Sequence, residues 1–171
     1  MHILSPEFDE GLVRSLDTFD FPAEFESIKH LIKAISQDLY YEDEQFKIEI
    51  LLCYSRKSIP NIKEKIYMIY QDAFSPAHNP LLWTKEHFAD IRAISKEDAL
   101  LTTYSTAAAI RLGLYENGFY IFVHRAELMR YSTVASLKML DLEYIDMELK
   151  KVRNTQARSM KDVDYLKDMN C

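Results

Sequence analysis

The sequence predicts an α/β fold built on a mostly parallel sheet, and three observations carry that prediction. Apolar runs rich in β-branched and aromatic residues, at 46–54, 65–71 and 99–105, have strand length and strand character. Between them lie stretches in which apolar residues recur at helical spacing, so the strands are joined by crossovers and pair in parallel. Near the end, runs 119–124 and 131–139 follow one another without a helix, which predicts an antiparallel terminal strand.

In chain order, "HILSP" is a short buried strand stopped by Pro6. Leu12, Leu16 and Phe19, then Phe25, Ile28, Leu31, Ile32 and Ile35, mark two helices broken between Asp20 and Pro22, with Pro22 opening the second. "FKIEILLCY" and "KIYMIYQ" are strands that end in polar loops. Thr84 caps a helix "KEHFADIRAIS" with Glu86 in its first turn, "ALLTTYS" is a strand, and "TAAAIRLGLYENG" is a helix that Gly118 closes. "FYIFVH" and "YSTVASLKM" complete the sheet. Residues 1–140 form the expected domain, and the highly charged, weakly periodic tail 141–171 reads as a short helix or surface arm.

Composition narrows the function. A net charge of −6 gives no general pull toward nucleic acid, so any RNA contact must rest on a local patch; "RKSIPNIKEK" and "KKVRNTQARSMK" are the two basic clusters, each also readable as a solvated face. Cys53 and Cys171 are too far apart in sequence to suggest a disulfide framework, and the five histidines are scattered, so no metal site is expected. No apolar run approaches the ~20 residues that cross a bilayer, and no signal peptide is recognisable, so the expected location is the cytoplasm. The three glycines, Gly11, Gly113 and Gly118, provide no glycine-rich phosphate loop.

The segment "QDAFSPAHNPLLWTKEHF" concentrates the chemistry. Asp72 directly follows a buried strand, where open α/β sheets place ligands. Phe74 can stack on a planar substrate, Pro76 and Pro80 stiffen the loop, and Asn79 can both donate and accept hydrogen bonds. The plain alternative is that Asp72 caps a turn and Trp83 packs the next helix.

"DAFSPAHNPLLWT", "LLTTYSTAAAIRLGLYENGF" and "STVASLK", in that order, resemble the methyltransferase domain of the bifunctional enzyme of tRNA 5-methylaminomethyl-2-thiouridine synthesis and its stand-alone relatives. The resemblance runs from Met1 to about Lys138. It implies a Rossmann-like S-adenosylmethionine-dependent methyltransferase fold, with S-adenosylmethionine as cofactor, tRNA as partner and the amine of 5-aminomethyl-2-thiouridine as methyl acceptor. By position, Asp72 would orient that amine, while Phe74, Pro76, Asn79 and Trp83 would form the substrate side. Glu7 would hold the ribose hydroxyls of the cofactor; a solvent-facing glutamate is the equal alternative.

Two departures from the family shape the expectation. Its glycine-rich cofactor turn would precede "MHILSPEF", so the chain is expected to start at the second strand, lacking on the order of 30 residues of a βαβ unit. Cys53 and Tyr54 stand where relatives carry Gly and the Asp that meets adenine; Tyr54 can stack on a base but offers no anionic acceptor. Weak cofactor binding, and inactivity of the chain alone, follow from both. A homodimer or a complementing N-terminal fragment would be a natural partner, and a non-catalytic methyltransferase-like scaffold is the rival reading.

Overall fold

The structure, a computed structural model, describes residues 1–7, 9–125 and 131–169. Cys171 lies outside them. The chain divides into two compact units, Met1–Asn61 and Ile62–Cys171, so the division falls inside the segment expected as one domain.

The first unit starts with β1 (His2–Glu7), followed by α1 (Glu10–Arg14), two short 3₁₀ turns, α2 (Lys29–Asp38), β2 (Tyr40–Glu42), β3 (Lys47–Leu52) and α3 (Ser55–Ser58). Its sheet has the order β1-β3-β2. β1 runs parallel to β3, with Ile3 opposite Ile48 and Glu7 opposite Leu52. Pro6 does not stop the strand as expected: β1 is an edge strand in this three-stranded order, and an edge tolerates a residue without an N–H.

Asp9 caps α1 by accepting a hydrogen bond from the Leu12 N–H at 2.9 Å. α2 ends on Leu39, whose φ of 60° is left-handed; its N–H bonds the Ile35 carbonyl and its own carbonyl takes the Ile50 N–H, turning the chain into β2. Strand β2 has no counterpart in the sequence reading. It exists because the Asp43 carboxylate accepts from the N–H groups of Gln45 and Phe46, both at 2.7 Å, forming a tight turn that only an antiparallel return can follow.

The second unit comprises β4 (Ile66–Tyr70), a 3₁₀ turn at Pro80–Leu82, α4 (Lys85–Ile94), β5 (Ser95–Thr103), α5 (Ala108–Glu116), β6 (Tyr120–His124), β7 (Ser132–Ser136), β8 (Glu143–Tyr144), α6 (Met147–Arg153) and a final 3₁₀ stretch at Asp162–Met169. Its sheet order is β4-β5-β7-β6-β8. β4 and β5 are parallel, whereas β5 with β7, β6 with β7 and β6 with β8 are antiparallel, so this sheet is mixed rather than mostly parallel; the antiparallel pair expected from the sequence is β6 with β7. Around this sheet Trp83, Phe88, Leu101, Ile110, Leu114, Phe119, Ile121 and Phe122 are fully buried.

The two principal helices form on the signals the sequence supplied. Thr84 caps α4, accepting from the His87 N–H. Gly118, at φ +85°, ends α5 with its N–H on the Tyr115 carbonyl at 2.9 Å. Where α4 meets α5, a Cβ on Gly113 would come within 3.1 Å of the Phe88 ring, so a larger residue fits only if that ring shifts by a few tenths of an ångström.

The charged C-terminal segment belongs to the second unit. β8 adds to β6, Ile145 and Met147 are buried, and the Tyr115 hydroxyl donates to Glu148 at 2.5 Å. Further on, the segment grips the start of α4. The Thr84 hydroxyl donates to Asp162 at 2.6 Å, the Lys85 N–H bonds the Met160 carbonyl, and the Asp162 N–H bonds Glu86 at 2.9 Å.

Two outcomes follow. Thr84→Ala removes a cap and a buried partner of Asp162, and should lower the urea-unfolding free energy by about 1 to 2 kcal/mol, with Thr84→Ser recovering most of it. The bond to Glu148 pushes the Tyr115 phenol up to about 12. A raised folded value makes the contact's stabilisation complete below the ordinary tyrosine range and lost as pH climbs through about 12. A tyrosine Cζ NMR titration should therefore show Tyr115 titrating last, and Glu148→Gln should bring it down.

Candidate functional site

The candidate site is the loop that leaves β4. The parallel ladder continues one residue past the strand, where the Gln71 N–H bonds the Thr102 carbonyl at 2.9 Å. Asp72 is thus the first residue beyond the paired backbone, at the carboxyl end of a strand. Its carboxylate is exposed and makes no hydrogen bond or ion pair within the described residues.

The loop's shape is set from below. Trp83 is 0% exposed, and its indole N–H donates to the Phe74 carbonyl at 2.7 Å. Its ring meets Tyr104 edge-on, with centroids 5.7 Å apart, and the Tyr104 hydroxyl donates to the Ala73 carbonyl at 2.9 Å. The buried Gln71 amide donates to the Leu82 carbonyl at 2.7 Å. These side chains hold the backbone at residues 73, 74 and 82.

Between those ties, Ser75 to His78 form a turn with the Ser75 carbonyl accepting from the His78 N–H at 2.8 Å. Pro76 occupies the turn position whose φ proline presets. The Ser75 hydroxyl and His78 Nδ1 lie 2.9 Å apart, closing the turn on itself. With its carbonyl pinned, Phe74 leaves its ring 78% exposed. Asn79 is half-buried, and its side chain engages no other described residue.

Of the residues expected at this site, Asp72, Phe74 and Asn79 present chemistry to the outside and Pro76 shapes the turn. Trp83 is a support: sealed from solvent, it offers no face to a ligand. Tyr104 and Gln71 were not singled out from the sequence, which placed Tyr104 inside the strand "ALLTTYS", whereas it directly follows the end of β5 at Thr103.

The first unit carries the remaining two expected residues at one sheet edge. Glu7 closes β1 and Tyr54 stands two residues beyond β3, its parallel neighbour, so both lie at carboxyl strand ends. One Glu7 oxygen accepts from the Ser5 hydroxyl at 2.8 Å, and the other has no hydrogen-bond partner among the described residues. The Tyr54 ring is 42% exposed, with the Lys57 ammonium 5.8 Å from its centroid. Cys53 is a half-buried free thiol. None of the three glycines sits in a turn from a strand into a helix: Gly11 and Gly113 are inside α1 and α5, and Gly118 follows α5. Among the described residues no group of three or more His, Cys, Asp or Glu is placed to hold a metal ion, and no helix is long and apolar enough to cross a membrane.

Trp83→Phe keeps a buried aromatic ring but removes the hydrogen bond to the Phe74 carbonyl and leaves a void where the rest of the indole was. It should cost about 2 to 3 kcal/mol. Amide exchange should accelerate in residues 73–79 while the α4 and α5 amides keep their protection.

Comparison with known proteins places these features in a family. Residues 23–137, more than half of the chain, match the family described as S-adenosyl-L-methionine-dependent methyltransferase. The tRNA 5-methylaminomethyl-2-thiouridine biosynthesis bifunctional protein MnmC of Paraburkholderia xenovorans is 31% identical over 47% of this chain and 12% of its own length. The protein of the same name from Pseudomonas savastanoi pv. phaseolicola is 27% identical over 58% of this chain and 16% of its own. The match therefore spans a small part of these relatives. The crystal structure of MnmC2 from Aquifex aeolicus superposes with a TM-score of 0.70 at 25% identity, over 90% of this chain and 58% of that one. The chain belongs to the S-adenosyl-L-methionine-dependent methyltransferase family and is related within it to the MnmC proteins.

Proposed function

We propose that the chain methylates the primary amine of 5-aminomethyl-2-thiouridine at the tRNA wobble position, in the cytoplasm. The observation that carries this reading is Asp72: an unengaged carboxylate at a strand's carboxyl end, on a loop whose backbone is tied in place. S-adenosylmethionine supplies an electrophilic methyl group on a cationic sulfur. The acceptor amine must present a neutral lone pair in line with that carbon. A carboxylate accepting the amine's N–H bonds orients the lone pair, and its charge favours the positive charge that develops on nitrogen. The exposed Phe74 ring is suited to the face of the thiouracil, and Asn79 to its polar edge.

The first unit's residues fit part of the donor. The open oxygen of Glu7 can accept from ribose hydroxyls, and Tyr54 can stack on adenine. Neither a glycine turn for the methionine end nor an acid for the adenine amino group stands among these residues. We therefore infer weak donor binding by the chain alone, with transfer requiring high donor concentration.

At millimolar labelled donor, Asp72→Asn should slow methyl transfer to hypomodified tRNA by about 100-fold with the tRNA KM little changed; retention of most of the rate would remove Asp72 from the chemistry. Calorimetry should give donor affinity weaker than low-micromolar, reduced further by Glu7→Gln. Low-micromolar binding would contradict the weak-donor reading.

A further inference from the structure

The second unit contains a cleft of about 130 Å³ whose polar lining is Thr106, Arg111, Lys150, Lys151 and Asn154. No carboxylate lines it. The Arg111 Nε donates to the Thr133 hydroxyl at 2.9 Å, and that hydroxyl donates to the Ser105 carbonyl at 2.6 Å, so the guanidinium is held in one orientation. Its two terminal nitrogens have no acceptor among the described residues. Burial presses the Arg111 pKa below the usual arginine value, and no acid acts on it in the opposite sense.

The acids on the neighbouring element are occupied. Glu148 takes the Tyr115 hydroxyl at 2.5 Å and the Lys151 ammonium at 3.5 Å, and Asp146 caps α6 through the Leu149 N–H at 2.8 Å. Lys150 has no ion pair within the described residues. Arg111 and Lys150, with the Lys151 ammonium shared with Glu148 and with the Thr106 hydroxyl and Asn154 amide, surround one small concavity with donors suited to a compact polyoxygen anion.

Position narrows the anion further. Thr106 lies two residues after Tyr104, whose hydroxyl holds the Asp72 loop, so one lining residue of the cleft follows the carboxyl end of β5, the parallel neighbour of the strand whose end carries Asp72. A chain with a net charge of −6 must draw its RNA affinity from a local patch, and α6 carries three of the five basic residues of "KKVRNTQARSMK", one of the two basic clusters in the sequence.

We propose that this cleft seats a backbone phosphate of the RNA substrate, next to the nucleotide held at Asp72. The proposal rests on the reading of the substrate as tRNA. A phosphodiester there fixes the strand's register while carrying no base information, leaving selection of the modified uridine to the Asp72 loop.

The test uses the full chain and a fluorescein-labelled, unmodified anticodon stem-loop RNA, with affinity measured by anisotropy over a KCl series. Lys150→Gln/Lys151→Gln lies on the exposed face of α6, so folding is not at stake. It should weaken binding about tenfold and flatten the slope of log affinity against log salt by about 1. Arg111→Gln should weaken it at least as much. In a second arm, inorganic phosphate should compete with the RNA more strongly than chloride at equal ionic strength. RNA affinity within twofold of wild type and an unchanged slope in the double variant would overturn the proposal. So would loss of inorganic phosphate binding with RNA binding intact, which marks a site for a free anion. Methyl transfer that depends on Asp72 but not on the two lysines would remove the cleft and leave the catalytic reading standing, whereas intact cleft-dependent RNA binding without methyl transfer would do the reverse.

Discussion

The hydrogen bond from the Trp83 indole to the Phe74 carbonyl is the constraint on which the site depends. Residues 71–79 contain no strand or helix, and ordering each residue costs about 1 to 2 kcal/mol of backbone entropy. A buried indole, a tyrosine hydroxyl and a buried amide meet that cost by binding backbone carbonyls from inside the unit. Since their bonds go to carbonyls, the side chains of Asp72, Phe74 and Asn79 are left available. Positioning and chemistry are thereby assigned to different residues.

That support is itself anchored. Trp83 immediately precedes Thr84, which caps α4 and donates to Asp162, so the C-terminal segment holds the helix start on which the loop ends. The same segment supplies β8 and the lysines of α6. In the first unit, a parallel pair again sets residues at its carboxyl edge, with Glu7 ending β1 and Tyr54 two residues beyond the neighbouring β3. Each unit thus contributes a parallel strand pair with polar or aromatic residues just past its end, the arrangement that suits ligand binding in open α/β folds.

How much of this was legible depends on how local the signal was. Thr84 and Gly118 marked the ends of α4 and α5 correctly, because a cap or a left-handed glycine acts within a few residues of its own position. The Asp72 segment could be recognised because its unusual residues are contiguous. β2 and β8 could not be: each is two or three residues long, and each forms because a partner strand is already in place. The role of Trp83 was half legible, since its burial depends on Tyr104, some twenty residues away. Arg111 gave no sign at all. Its environment comes from Thr133 and α6, and the helical pattern "AAIRLGL" shows only that it sits on α5.

The most direct test is the chemical identity of the product. tRNA bearing 5-aminomethyl-2-thiouridine would be incubated with the chain and methyl-labelled S-adenosylmethionine at millimolar concentration, digested to nucleosides and resolved by mass spectrometry. One label-bearing nucleoside, 5-methylaminomethyl-2-thiouridine, is expected, and its formation should depend on Asp72. Label on a ring nitrogen, on a ribose or on another nucleoside, or none at all with donor saturating, would contradict it.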